Sequence, residues 1–178
     1  MIIKKLLSRL NRKRILKKCA VNVDKYMKSY IKWLKKNGMD IKGNPKYINP
    51  DVYFDGHDYS KIHIGDNVVI SKEVIILTHD YSITAAAASV GRVIKRHEGE
   101  LYFLNDVVIG DNSFIGARAS LLPGTIIGKN VIIGACAVVK GAIPDNCIVI
   151  GNPCKIIGKT EDYANKHLIE KDYLIDEE

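Results

Sequence analysis

An aliphatic residue stands at every sixth position across the middle of this chain, at Ile109, Ile115, Leu121, Ile127, Ile133 and Val139. A period of six suits neither an α-helix nor a simple amphipathic strand. It suits a parallel coil of short strands and corners, in which each six-residue unit turns one aliphatic side chain inward. Gly occupies the second place of four of the six units, at Gly110, Gly116, Gly128 and Gly134, and tolerates the unusual backbone angles expected of corners. The fifth place is mostly small, as in Ser113, Ala119 and Ala137. Turns of such a coil stack about 4.8 Å apart, so the inward residues form ladders and each turn needs only its neighbours. The period therefore predicts an all-β solenoid.

The same pattern occurs earlier, in Ile64-Gly65-Asp66-Asn67-Val68-Val69, again from Ile70, and then at Ile76. Ile76 and Ile109 are 33 residues apart, which is not a multiple of six, so part of the intervening chain must leave the coil. The polar stretch at about 80–106, with Arg92, Lys95, Arg96, His97 and Glu98, is the expected excursion. Long loops on rigid scaffolds carry function or disorder. This one begins directly after Thr78-His79-Asp80, as the lid of a site would.

These residues resemble those of a known family, the hexapeptide-repeat acyltransferases, in its branch of maltose, galactoside and capsule or exopolysaccharide O-acetyltransferases. Ile64-Gly65-Asp66-Asn67, Leu77-Thr78-His79-Asp80-Tyr81-Ser82 and the run from Val108 to Gly151-Asn152-Pro153 carry the resemblance, which spans roughly residues 48 to 159. It implies a left-handed parallel β-helix, a homotrimer, and acetyl transfer from acetyl-CoA to a sugar hydroxyl without a metal. It also implies that His79 is the general base, since an imidazole accepts a proton at neutral pH. Asp80 is a candidate to orient His79, although adjacent side chains of a strand diverge. Asp55 and Tyr81 are expected at the acceptor. By the same resemblance Ala117 and Ala135 border the pantetheine arm of the cofactor, and Lys140, Lys155 and Lys159 face its phosphates. Two positions depart from the pattern: Cys136, where relatives usually have Gly, and Lys140, where many have Thr. His57, His63 and His97 are weaker candidates for the acceptor side.

Residues 1–36 hold 13 Lys or Arg and one acid, Asp24, so this segment carries +12 and the rest of the chain −5. Two amphipathic helices are expected here, one with Ile3, Leu6, Leu7 and Leu10 on a face, the other with Val23, Met27, Tyr30, Ile31 and Leu34. They can cap the open first turn of the coil, whose strand edges invite aggregation, or lie on an anionic membrane surface. The expected organisation is a basic leader over 1–47, a coil domain over 48–159, and a C-terminal helix with an acidic tail over 160–178. No apolar run of 18 residues and no secretion signal is present, so a cytoplasmic protein is expected, with peripheral membrane contact through the leader. The four cysteines have neither metal-ligand nor disulfide spacing. Nucleic acid is not an expected partner.

Several other functions remain open at this level. Serine acetylation fits less well, because those enzymes carry a much longer helical domain before the coil, and N-acetylation of an amino sugar could use the same base. A carbonic anhydrase on the same scaffold needs three converging His ligands, and His79 has no clear partners at that spacing. A purely structural solenoid would bind no coenzyme A.

Overall fold

The computed structural model describes residues 2–55 and 58–176, with side chains from residue 7 onward. Two helices come first, α1 (Ile2–Lys17) and α2 (Val23–Lys36), packed against each other. The Asn22 side chain accepts the backbone N–H of Lys25 at 2.7 Å and so starts α2. Tyr26, Met27, Tyr30, Trp33 and Leu34 form the buried stripe of α2, and the Tyr26 hydroxyl donates to the Ile48 carbonyl at 2.6 Å. The helical hairpin thus covers the beginning of the sheets. Tyr26 and Trp33 belong to this inner face, while Val23, expected there, is exposed. Among the described side chains of α1 the buried one is Ile15, and Leu7 and Leu10 are exposed. Ile3 and Leu6 lie outside the described side chains.

From Asp40 the chain passes through three parallel sheets in rotation. The first pass is β1 (Asp40–Ile41), β2 (Tyr47–Ile48) and β3 (Tyr53–Phe54). The second is β4 (Ile62–Ile64), β5 (Val69–Ile70) and β6 (Ile75–Ile76). An excursion follows, with β7 (His79–Asp80), α3 (Ser82–Ala87) and β8 (Phe103–Leu104). The rotation then resumes with β9 (Val107–Ile109), β10 (Phe114–Ile115) and β11 (Ser120–Leu121). It continues with β12 (Ile126–Ile127), β13 (Ile132–Ile133) and β14 (Val138–Val139), then β15 (Ala142–Ile143) and β16 (Cys147–Ile150). Last come β17 (Lys155–Lys159), antiparallel to β16, and α4 (Thr160–Glu170).

The register explains the period of six. Ile41, Ile64, Ile109, Ile127 and Ile143 are successive partners in one sheet, and Ile48, Ile70, Ile115, Ile133 and Val149 in the second. Phe54, Ile76, Leu121 and Val139 follow in the third. All are buried, each contributing on the order of 1.5–3 kcal/mol by leaving water. The fifth-place residues Ser113, Ala119, Thr125, Val131 and Ala137 are buried beside them, where only small side chains fit. The two hydroxyls are satisfied: Ser113 Oγ donates to the Gly128 carbonyl at 2.9 Å, and Thr125 Oγ1 to that of Leu122 at 2.7 Å.

Ile64 and Ile109 are paired 45 residues apart, whereas Ile109 and Ile127 are paired 18 apart, so 27 residues leave the rotation between them. The sheets also begin earlier than residue 48, at Asp40, because Ile41 and Ile48 are seven apart and break the repeat.

The second-place glycines serve a purpose other than the expected one. Gly110 and Gly116 are not left-handed; among the left-handed corners are Asn67, Asn112, Asn130 and Asn146, with φ of 53°, 57°, 54° and 60°. These four amides form a chain of hydrogen bonds of 3.0, 3.2 and 2.9 Å from turn to turn. Glycine is needed for closeness instead: a Cβ on Gly116 would lie 2.6 Å from the Ala135 nitrogen and 2.7 Å from the Ile133 oxygen. Gly116→Ala is therefore expected to destabilise the protein by about 1–3 kcal/mol, because backbone of the next turn must shift. Urea unfolding reads this, and a change within about 0.5 kcal/mol would remove the steric explanation.

Candidate active site

The chain leaves the sheets at His79. Leu77 still donates its N–H to the Leu121 carbonyl at 2.9 Å, and Thr78 is fully buried, but β7 pairs only with β8, antiparallel, at the two ends of the excursion. Asn105 N–H donates to the Thr78 carbonyl at 2.9 Å, and Thr84 Oγ1 both donates to the Leu101 carbonyl and accepts its N–H. These bonds tie the loop to its own base.

One turn below, Asp55 follows β3. Since Phe54 is paired with Ile76, Asp55 comes to lie beneath Thr78 and His79. Its carboxylate is 1% exposed, and Oδ2 accepts from Thr78 N–H at 2.6 Å, Thr78 Oγ1 at 2.9 Å, His79 N–H at 3.2 Å and His79 Nδ1 at 2.7 Å. A buried carboxylate needs such donors. Its bond to Nδ1 selects the tautomer with the proton on Nδ1 and the acceptor lone pair on Nε2. The His79 side chain is 27% exposed, so the ring is held at Nδ1 and still reaches solvent.

His79 opens on a cavity of about 340 Å³ with apolar walls from Leu77, Leu122 and Pro123 and polar groups from Asn105 and Lys140. Asp80 lines the same cavity, but its Oδ1 accepts Ser82 N–H at 2.7 Å, and that bond, with smaller help from the charges of Lys140 and His79, holds its carboxyl below the usual range. The carboxylate on His79 Nδ1 is thus that of Asp55 and not that of its chain neighbour, because adjacent side chains on a strand point apart. Asp55 itself is buried rather than open to an acceptor.

Tyr81 stands edge-on to His79, with ring centres 5.4 Å apart, and packs against Tyr102 at 4.9 Å. Tyr102 escaped the sequence reading because it lies 21 positions away, on the returning arm of the loop. Asn105 escaped for the same reason, and only the alignment of β8 with β7 pointed to it.

The other candidates are dispersed. Ala117 and Ala135 sit at a different corner, where Cys136 N–H donates to the Ala117 carbonyl at 2.9 Å and Cys136 takes a left-handed φ of 60°, the conformation that favours Gly. Lys155 and Lys159 are exposed at the two ends of β17. Lys140, grouped with them by the resemblance, lines the His79 cavity. His63 lies between Asp40 and Asp106, at 3.0 and 3.3 Å, and His97 is in the excursion. His57 lies outside the described residues.

Known proteins resemble this chain in both sequence and fold. The family model described as bacterial transferase hexapeptide (six repeats) matches residues 106–141. Galactoside O-acetyltransferase of Escherichia coli K12 is 33% identical over 75% of this chain and 70% of its own length. Protein CapG of Staphylococcus aureus is 32% identical over 79% of this chain and 77% of its own length. Among solved structures, a galactoside acetyltransferase in complex with coenzyme A is 25% identical with a TM-score of 0.61, covering 95% of this chain and 88% of that one.

Proposed function

The chain belongs to the hexapeptide-repeat acetyltransferases, and from that premise we propose that it transfers acetyl from acetyl-CoA to the hydroxyl of a sugar, as part of a capsule, exopolysaccharide or lipopolysaccharide precursor. The observation that carries the reading is the Asp55–His79 pair, one nitrogen held at 2.7 Å by a buried carboxylate and the ring facing a cavity. This is the arrangement of a general base with its orienting group.

In the proposed reaction His79 Nε2 takes the proton of the acceptor hydroxyl as its oxygen attacks the thioester carbonyl. The new C–O bond forms, the C–S bond breaks, and the proton on Nε2 passes to the departing thiolate. Asp55 keeps the imidazole in its tautomer and stabilises the cation formed in passing. A base so placed contributes about 10²- to 10⁴-fold in rate. Tyr81, partly exposed beside the base, offers an aromatic ring to a sugar.

Small side chains at Ala117 and Ala135 leave the backbone of their corner accessible, which suits an extended pantetheine arm. Lys155 and Lys159 would meet its phosphates, and Lys140, beside His79, would act closer to the reacting groups. The rotation of strands through three parallel sheets supports a parallel β-helix, and its left hand is proposed from the family. Because the Ala117 corner and the His79 corner of one chain are separate, we place the complete site between two subunits of a closed trimer, which gives three equal sites.

The reading is tested with labelled acetyl-CoA and a panel of sugars, polysaccharide fragments, L-serine and amino sugars. Label on a sugar hydroxyl supports it. Label on serine or on an amine moves the function to another acceptor class, and no transfer together with no coenzyme A binding rejects it.

A further inference from the structure

The N-terminal hairpin holds a large excess of cations. Residues 1–36 carry 13 Lys or Arg against Asp24 alone, and among the described residues none of these cations takes part in an ion pair. Their distribution is ordered. On α1, Leu7 and Leu10 are 59% and 49% exposed and recur with Arg14 and Lys17 at three- and four-residue steps, along a stripe that excludes buried Ile15, with Leu7 at its edge, beside the cleft to Trp33 and Lys36. Val21, 86% exposed, stands in the turn that follows. On α2, Lys25, Lys28, Lys32 and Lys35 recur with the same steps, opposite the stripe that covers the sheets.

The two stripes meet in a shallow cavity of about 260 Å³ lined by Arg14, Lys17, Lys18, Val21, Asn22 and Lys25. The hairpin therefore has two faces. One seals the first turn of the coil, and the other combines exposed aliphatic side chains with unpaired cations.

We propose that this outer face docks on an anionic phospholipid surface, with α1 lying in the plane of the interface. Leu7, Leu10 and Val21 enter the boundary between headgroups and acyl chains, and Arg14, Lys17, Lys25, Lys28 and Lys32 meet phosphate groups. Charge complementarity selects the anionic partner, and the exposed aliphatics select lipid over nucleic acid, which would satisfy the cations but leave Leu7, Leu10 and Val21 in water. The docking does not depend on the acetyl-transfer reading, because none of these residues lines the His79 cavity.

The test is flotation of the full-length protein with vesicles of phosphatidylcholine alone and with about one-quarter phosphatidylglycerol, at low and high salt. Binding to the anionic vesicles is expected to be at least about tenfold stronger than to the neutral ones and to weaken with salt. Leu7→Ser/Leu10→Ser/Val21→Ser and Lys17→Glu/Lys25→Glu/Lys28→Glu should each lower it by about tenfold or more. Both variants should keep the wild-type unfolding midpoint, since every substituted residue is exposed. No preference for anionic vesicles, or binding that survives both variants, overturns the proposal. So does self-association lost in the variants with no vesicle binding, which would make a second copy the occupant. Stronger binding to duplex DNA or RNA, unaffected by the serine variant, overturns it as well.

Discussion

His79→Ala is expected to lower kcat/KM for acetyl transfer by about 10²- to 10⁴-fold while coenzyme A affinity and the urea midpoint stay close to wild type. The reason for the selectivity is geometric. The ring is 27% exposed at a cavity wall, so its removal leaves no void in the core. Nor does it orphan Asp55, whose Oδ2 keeps the backbone N–H and hydroxyl of Thr78 at 2.6 and 2.9 Å. Initial rates with the best acceptor, beside calorimetric titration of coenzyme A, separate the two effects. A loss in rate of less than about threefold would assign the proton transfer to another group.

Asp55 should behave differently, because it acts on both rate and stability. In Asp55→Asn a neutral amide oxygen replaces the anion, so the imidazolium formed during transfer loses its counter-charge, and kcat is expected to fall by about 10²- to 10⁴-fold with little change in KM. Asp55→Ala removes the acceptor altogether. The N–H and hydroxyl of Thr78 would then be buried with no partner, which should cost about 2–4 kcal/mol in unfolding free energy. Because Asp55 is argued to act through His79, Asp55→Asn/His79→Ala should transfer acetyl no more slowly than His79→Ala alone. Additive losses would mean that Asp55 serves the reaction by a separate route, such as direct contact with the acceptor.

Much of this protein is legible in its sequence because the rotation through three parallel sheets is nearly one-dimensional. Each inward residue from Ile109 to Val139 needs only the residues one turn above and below it, so a local period of six carries the pairing of β9 to β14. The break in that period marked the excursion, and His79 at its root marked the candidate site. Where the spacing is irregular the pattern fails: Ile41, Ile48 and Phe54 pair with Ile64, Ile70 and Ile76 at separations of 23, 22 and 22, so the first turn could not be read from a repeat of 18.

The sequence by itself determined the ladders of aliphatic residues, the place where the chain leaves them, the histidine at that place and the basic leader ahead of them. Only the tertiary structure decided which carboxylate holds His79, since Asp55 and Asp80 are both plausible along the chain and the wider first turn is what slides Asp55 beneath the ring. It also decided why Gly116 is glycine, which depends on the distance to the next turn rather than on its own φ. And it decided which side of α1 faces out, because a helix with apolar residues on two sides has no inward face until a neighbour buries one of them.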